Sequence, residues 1–304
     1  MKKLWWLLGI AVLAGCSRTS TDTTVNANGT WTRTVRLTIP KTSMDGKEET
    51  FEKYFLLPSG ANWKTSRTTD KDNQIFTAVR TLNAGESVQD LQVKAGTAVV
   101  ANNDVTVRKI GENRFEYVET IHYKGPEKPD IKTATDKIAP LIKEALPADL
   151  ATDEHVKHLS EMGFQFMWRT IFGPTEPLLT QILMNPDMAA RRIKSRFARQ
   201  MQEAMATEFG DKMTPQVRLD TVRKMINRLD AESLLDDKKE KAQKEGPSDN
   251  SSLVSMFTAV KLPGRIVESN GETDEITGEV IWAYFPESAQ IGDVKLRAVC
   301  EITP

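Results

Sequence analysis

Histidine and cysteine are scarce in this chain, whose 304 residues hold three of the first and two of the second. Two cysteines admit at most one disulfide, which excludes the cysteine-stapled scaffolds of small secreted domains. With histidine only at 122, 155 and 158 there is no His-Glu-x-x-His pair, and a Gly-x-Ser-x-Gly elbow and a phosphate-binding glycine loop are missing as well. Net charge is nearly zero, 41 Lys+Arg against 42 Asp+Glu, so no overall field draws in nucleic acid. No run reaches the about 20 apolar residues that a membrane-spanning helix needs. No catalytic residue, metal ligand set or cofactor site follows from the sequence. Carboxylate or Ser/Lys pairs brought together only by folding leave no such signature, which keeps a hydrolase open as an alternative.

The N-terminus carries the clearest pattern. Lys2 and Lys3 precede an apolar stretch from Leu4 to Leu13, and Leu13-Ala14-Gly15-Cys16 follows. A basic start, a short apolar core and small residues before a cysteine have the order of an export signal, and the core is too short to remain as a membrane span. The tetrapeptide resembles the lipobox of bacterial lipoproteins. That resemblance implies cleavage after residue 15, a diacylglyceryl thioether on Cys16 and attachment to the cell envelope. With Ser17 rather than aspartate next, it implies the outer membrane in a Gram-negative host. Two acyl chains hold stably where one holds marginally. If Cys16 is consumed by lipid, Cys300 has no partner, and its alternation with Val294, Leu296, Ala298 and Ile302 reads as a buried thiol. Residues 17–30 are rich in Ser, Thr, Asp and Asn, with Val25 as the one sizeable apolar side chain. The expectation there is a flexible tether reaching about 20 Å.

From Trp31 to Tyr123 apolar residues recur with period two, which predicts antiparallel strands at 31–39, 50–57, 74–82, 104–110 and 114–123. From about residue 132 to 235 the period becomes helical. Thr152, Thr175 with Pro177, Asn185 with Pro186, and Thr214 with Pro215 mark helix starts, giving five helices. Residues 236–252 are charged and then Gly/Pro/Ser-containing, as in a linker. Strand patterns return at 253–260, 279–285 and 294–302. Three strands alone make a thin core, so the expected fold class is α+β: N-terminal (31–131) and C-terminal (253–304) strands form one antiparallel sheet domain, and the helices are an insertion.

Leu262-Pro263-Gly264, Ser269-Asn270-Gly271 and Gly278-Glu279-Val280-Ile281-Trp282 together resemble an element of the LppM-type bacterial lipoproteins. The resemblance implies a β-rich envelope domain, with lipid or glycolipid binding in some members. On their own terms, Asn270 and Gly271 suit a tight turn with positive φ.

Three side-chain groups are candidate sites. His155 and His158 stand three apart at a helix start, with Glu154 and Glu161 near, a weak two-ligand pattern; His122 reads as a surface residue. Arg192, Arg196 and Arg199 share a helix face opposite Ile193, Phe197 and Met201, which suits lipid phosphate or an acidic partner, or simply solvent. Met162, Phe164, Phe166, Met167, Trp168 and Phe172 read as core or as a binding groove. The leading functional expectation is a membrane-anchored, non-enzymatic binding or assembly lipoprotein, with an envelope protein or lipid as partner. Lipid or glycolipid binding and a tethered envelope hydrolase are the alternatives.

Overall fold

A computed structural model describes residues 17–43, 46–70, 72–125, 129–173, 186–231, 254–274 and 276–302, with the backbone alone at 171, 186–193 and 229–231. The expected signal segment with Cys16, the helix expected from Thr175 and the expected linker 236–252 lie outside them. The chain has an α+β fold in two units. Among the described residues a β unit takes in those between 17 and 125, 172–173 and those between 254 and 302, and a helical unit takes in 129–171 and 186–231, so the helices interrupt the β unit in sequence.

Two sheets, rather than the single sheet expected, make the β unit. Among the described residues the first contains β1 (Arg18–Val25), β2 (Trp31–Pro40), β4 (Lys64–Thr69), β5 (Asn73–Leu82), β10 (Ser255–Lys261), β12 (Glu272–Thr273) and β13 (Val280–Tyr284), in the order β12-β13-β10-β1-β2-β5-β4. The second contains β3 (Phe55–Leu56), β7 (Gln92–Ala95), β8 (Ala98–Gly111), β9 (Arg114–Tyr123), β11 (Arg265–Ser269) and β14 (Val294–Glu301), in the order β11-β14-β9-β8-β7-β3, with β6 (Ser87–Val88) also on β8. The C-terminal strands complete both sheets, since β10 and β13 continue the first while β14 pairs with β9 in the second. Each strand turns alternate side chains inward. Trp31, Val35, Leu37 and Ile39 from β2 therefore share one core with Phe115, Tyr117 and Ile121 from β9 and with Leu296, Ala298 and Cys300 from β14. Cys300 is fully buried, and burial pushes its thiol pKa up.

The expected tether is the main correction. Residues 18–25 form β1, a central strand paired antiparallel to β2 and parallel to β10. Its inward positions Thr19, Thr21, Thr23 and Val25 are buried, as is Ser17 before it. A segment short of apolar residues folds here because β-branched threonine suits a strand and the hydroxyls of Thr21 and Thr23 have polar partners inside the sandwich, whereas those of Ser17 and Thr19 are buried without one. A second correction concerns 50–57, where Phe51–Tyr54 is a helical turn (α1) leading into the two-residue β3.

In the helical unit the described helices are α2 (Ile131–Ala145), α3 (Asp153–Phe172), α4 (Pro186–Phe209) and α5 (Pro215–Ala231). Their starts are capped as the side chains allow. The Asp130 carboxylate accepts from Thr133 N at 3.0 Å and the Thr152 hydroxyl accepts from His155 N at 3.3 Å. The buried stripes are Val156, Leu159 and Phe164 on α3, Phe197, Met201, Ala204 and Met205 on α4, and Val222 with Met225 on α5. Phe166, Met167 and Trp168 are half-buried, so the aromatic cluster of α3 is core only in part.

A corner at residues 269–271 ties the two sheets together. Asn270 Oδ1 accepts from Trp282 Nε1 (3.0 Å) in the first sheet and from Arg297 N (2.8 Å) in the second, while its Nδ2 donates to Lys295 O at 2.6 Å. Gly271 is needed for close approach rather than for a positive φ, because a Cβ there would stand 2.5 Å from Trp282 Cε2. Trp282 cannot yield, being 1% exposed and stacked on Tyr117 with ring centroids 6.0 Å apart. Gly271→Ala is expected to lower the unfolding free energy by about 1–3 kcal/mol, the usual scale of overpacking. Gly111→Ala, where a Cβ would find ordinary contact at 3.7 Å from Arg114 Cβ, is expected to be nearly neutral. Urea unfolding followed by tryptophan fluorescence distinguishes the two, and equal midpoints would overturn this account of the corner.

Candidate functional site

Charge enters the sandwich interior at Arg33. It occupies the inward register of β2 between Trp31 and Val35, and its side chain is 0% exposed. A guanidinium carries five N–H donors, and every one is used. Nε donates to Asp90 Oδ2 (2.8 Å), Nη1 to Thr23 Oγ1 (2.9 Å) and Tyr117 Oη (3.2 Å), and Nη2 to Glu119 Oε1 (3.1 Å) and Asp90 Oδ1 (3.4 Å). Asn103 closes the far side, with Nδ2 donating to Asp90 Oδ1 (2.8 Å) and Glu119 Oε1 (2.7 Å) and Oδ1 accepting from Asp90 N and Leu91 N. Tyr117 Oη also donates to Glu119 Oε2. Beside this network Thr21 and Thr258 share a hydroxyl bond of 2.9 Å, and Tyr284 Oη lies 3.4 Å from Thr258 Oγ1.

The electrostatics follow from enclosure. Burial by itself would lower the Arg33 pKa, but Asp90 and Glu119 beside the guanidinium hold it well above its ordinary value. Burial, reinforced by Glu119, pushes the Tyr117 and Tyr284 phenols well above theirs. Thr23, Arg33, Asp90, Asn103, Tyr117 and Glu119 are all at most 3% exposed. The cluster can fix the register of one sheet on the other, but it presents no reactive atom to a solvent-borne substrate. Sequence reading missed it, although parity held the signal: Arg33 alternates with Trp31 and Val35, and Glu119 with Tyr117 and Ile121, so opposite charges stand in two inward registers.

The residues singled out from sequence come together only in part. His155 and His158 are bridged by Glu208 of α4, not by Glu154 or Glu161, with Nδ1–carboxylate distances of 2.6 and 2.8 Å. The hydrogen bond from His155 lowers the Glu208 pKa, and the trio acts as a clip between α3 and α4. Among the described residues no group of three His, Cys, Asp or Glu is arranged to hold a metal ion. His122 is half-buried rather than a plain surface residue, its ring nitrogens each 2.9 Å from a carboxylate of Asp104 or Asp293. On the same outer face Glu116 lies between Arg108 and Arg297, and Arg297 continues to Glu268. Of the candidate basic face, Arg199 is exposed and Arg196 is half-buried, while the Arg192 side chain lies outside the described residues.

Two changes test the interior. Arg33→Met removes the cation from two enclosed carboxyl groups and is expected to cost about 3–5 kcal/mol, the scale of breaking a buried pair from one side. Arg33→Lys, with a single ammonium, is expected to recover little of it. Full stability of the lysine variant in urea unfolding would show that the fivefold bonding is dispensable. A second test uses Glu287, in the turn Pro286–Ile291 after β13, whose carboxyl burial pushes up to about 7. A raised carboxyl pKa makes the folded state the tighter proton binder, so this contribution is complete below about pH 4.5 and is lost as pH rises through about 7. Glu287→Gln is therefore expected to raise the unfolding midpoint at pH 8 and leave it unchanged at pH 4. A gain at pH 4 with none at pH 8 would reverse that sign.

No family model, curated protein or solved structure matches the chain, so its function has to be read from its own residues.

Proposed function

We propose that this chain is a lipid-anchored cell-envelope lipoprotein that acts as a non-enzymatic binding or assembly component. The observation that carries the reading is the N-terminal order of two lysines, a short apolar core and Leu13-Ala14-Gly15-Cys16. Anchoring through lipid also accords with the helices, none of which among the described residues is long and apolar enough to cross a membrane. Support for a binding role comes from the interior. The space between the sheets is filled by Trp31, Arg33, Tyr117, Trp282 and Tyr284, each at most 2% exposed. That filling speaks against carriage of a lipid between the sheets and turns attention to outer surfaces. The face of α4 expected to carry Arg192, Arg196 and Arg199, on which Arg199 is exposed, is the surface suited to an anionic lipid or an acidic envelope protein.

Cys16→Ala is expected to leave an uncleaved precursor that takes up no labelled palmitate and is lost from the membrane fraction. Normal labelling of that variant would overturn the assignment.

A further inference from the structure

Resting on the lipid attachment just proposed, we infer that the end of the sandwich where β1 begins is its membrane-facing surface, seated on the lipid headgroups with no tether between. The argument is one of chain length. Ser17 is 2% exposed and its carbonyl accepts from Ser255 N at 3.3 Å, and from Arg18 onward β1 is held on both edges. One peptide unit, about 3.8 Å between Cα atoms, separates Ser17 from Cys16. Acyl chains on Cys16 enter the hydrocarbon layer, so the fixed end of β1 is drawn to headgroup level.

Strand registers show what else lies at that end. Arg18 pairs with Thr38 and Ser255, Met256 with Tyr284, and Thr38 with Ile75. The β4–β5 turn with Asp70 and Asp72 therefore belongs to it. In the second sheet β9 has Phe115, its second residue, against Gly29 in the β1–β2 turn, passes Arg33 at Glu119 and finishes at Tyr123, so its finish is on the Ser17 side. Lys124 N and Gly125 N, both on Val100 O, lie just beyond that finish. Exposed Arg18, Lys124, Asp70 and Asp72 give this end mixed charge, suited to headgroups rather than to insertion. The β8–β9 turn at Glu112 lies at the opposite end, about 25 Å away for an eight-residue strand.

The test uses the full acylated chain in vesicles of phosphatidylethanolamine and phosphatidylglycerol bearing a nitroxide on the headgroup. A fluorophore is attached at Asp72→Cys or at Glu112→Cys, Cys300 being fully buried. Several-fold stronger quenching at 72 than at 112 is expected, and a Gly/Ser stretch of about a dozen residues between Cys16 and Ser17, reaching about 20 Å, is expected to bring the two together. Equal or reversed quenching in the acylated protein, or a difference that survives the inserted stretch, overturns the seating alone. An N-terminal peptide mass without lipid overturns the attachment and the seating together.

Discussion

A guanidinium shut between two β-sheets has to find an acceptor for each of its five donors, because each one left bare costs about 1–3 kcal/mol. Arg33 meets that demand by drawing partners from both sheets and from the connection at Asp90. An exposed pair such as Arg67–Glu52 contributes about 0–1 kcal/mol and can be lost without consequence. The interior pair cannot, since removing one member strands the others. Such a network need not add net stability over an apolar core of equal volume. Its effect is on arrangement: if either sheet slips by one residue, inward and outward side chains exchange, and Arg33 loses its partners along with the apolar contacts.

The same demand accounts for β1. An all-apolar strand beside Arg33 would leave Nη1 without Thr23 Oγ1, and Thr258 without Thr21. Threonine resolves the conflict, being β-branched for the strand and hydroxylated for the cluster. It is also why the segment was illegible as a strand: Ser, Thr, Asp and Asn in a row read as solvated chain when burial is inferred from apolar content alone. The alternation Thr19, Thr21, Thr23, Val25 is visible only once threonine is allowed to be an inward residue. By contrast β2, β5, β9 and β14, whose inward positions are mostly apolar, were legible with nearly their observed ends. So were the helical insertion, with caps at Thr152 and Thr214, and the buried state of Cys300.

What stayed hidden of the candidate site was hidden for a different reason. Parity points to Arg33 and Glu119, but Asp90 precedes a four-residue strand and Asn103 lies in the long β8, where nothing in the local pattern marks either as a partner. Likewise Gly271 looked like a turn glycine, and its real constraint is the indole of Trp282, eleven residues on. Contacts of this kind are set by how two sheets meet, and a strand's own periodicity carries no record of that.

The interior bears on the proposed anchor as well. A lipidated N-terminus is ordinarily expendable to the fold behind it, because a flexible segment decouples the two. Here the residues directly after Cys16 supply the central strand, whose Thr23 is bonded to Arg33 and whose both edges are paired. If Cys16 carries lipid as proposed, force applied there would load β1 along its length, against a full ladder on either side. In that geometry many hydrogen bonds must give way together rather than one at a time. The parallel pairing with β10 matters most, since β10 follows the helical insertion and β1 opens the described chain. That ladder can form only once the helices between the two strands have been made, so the first strand of the β unit is completed by one of its last.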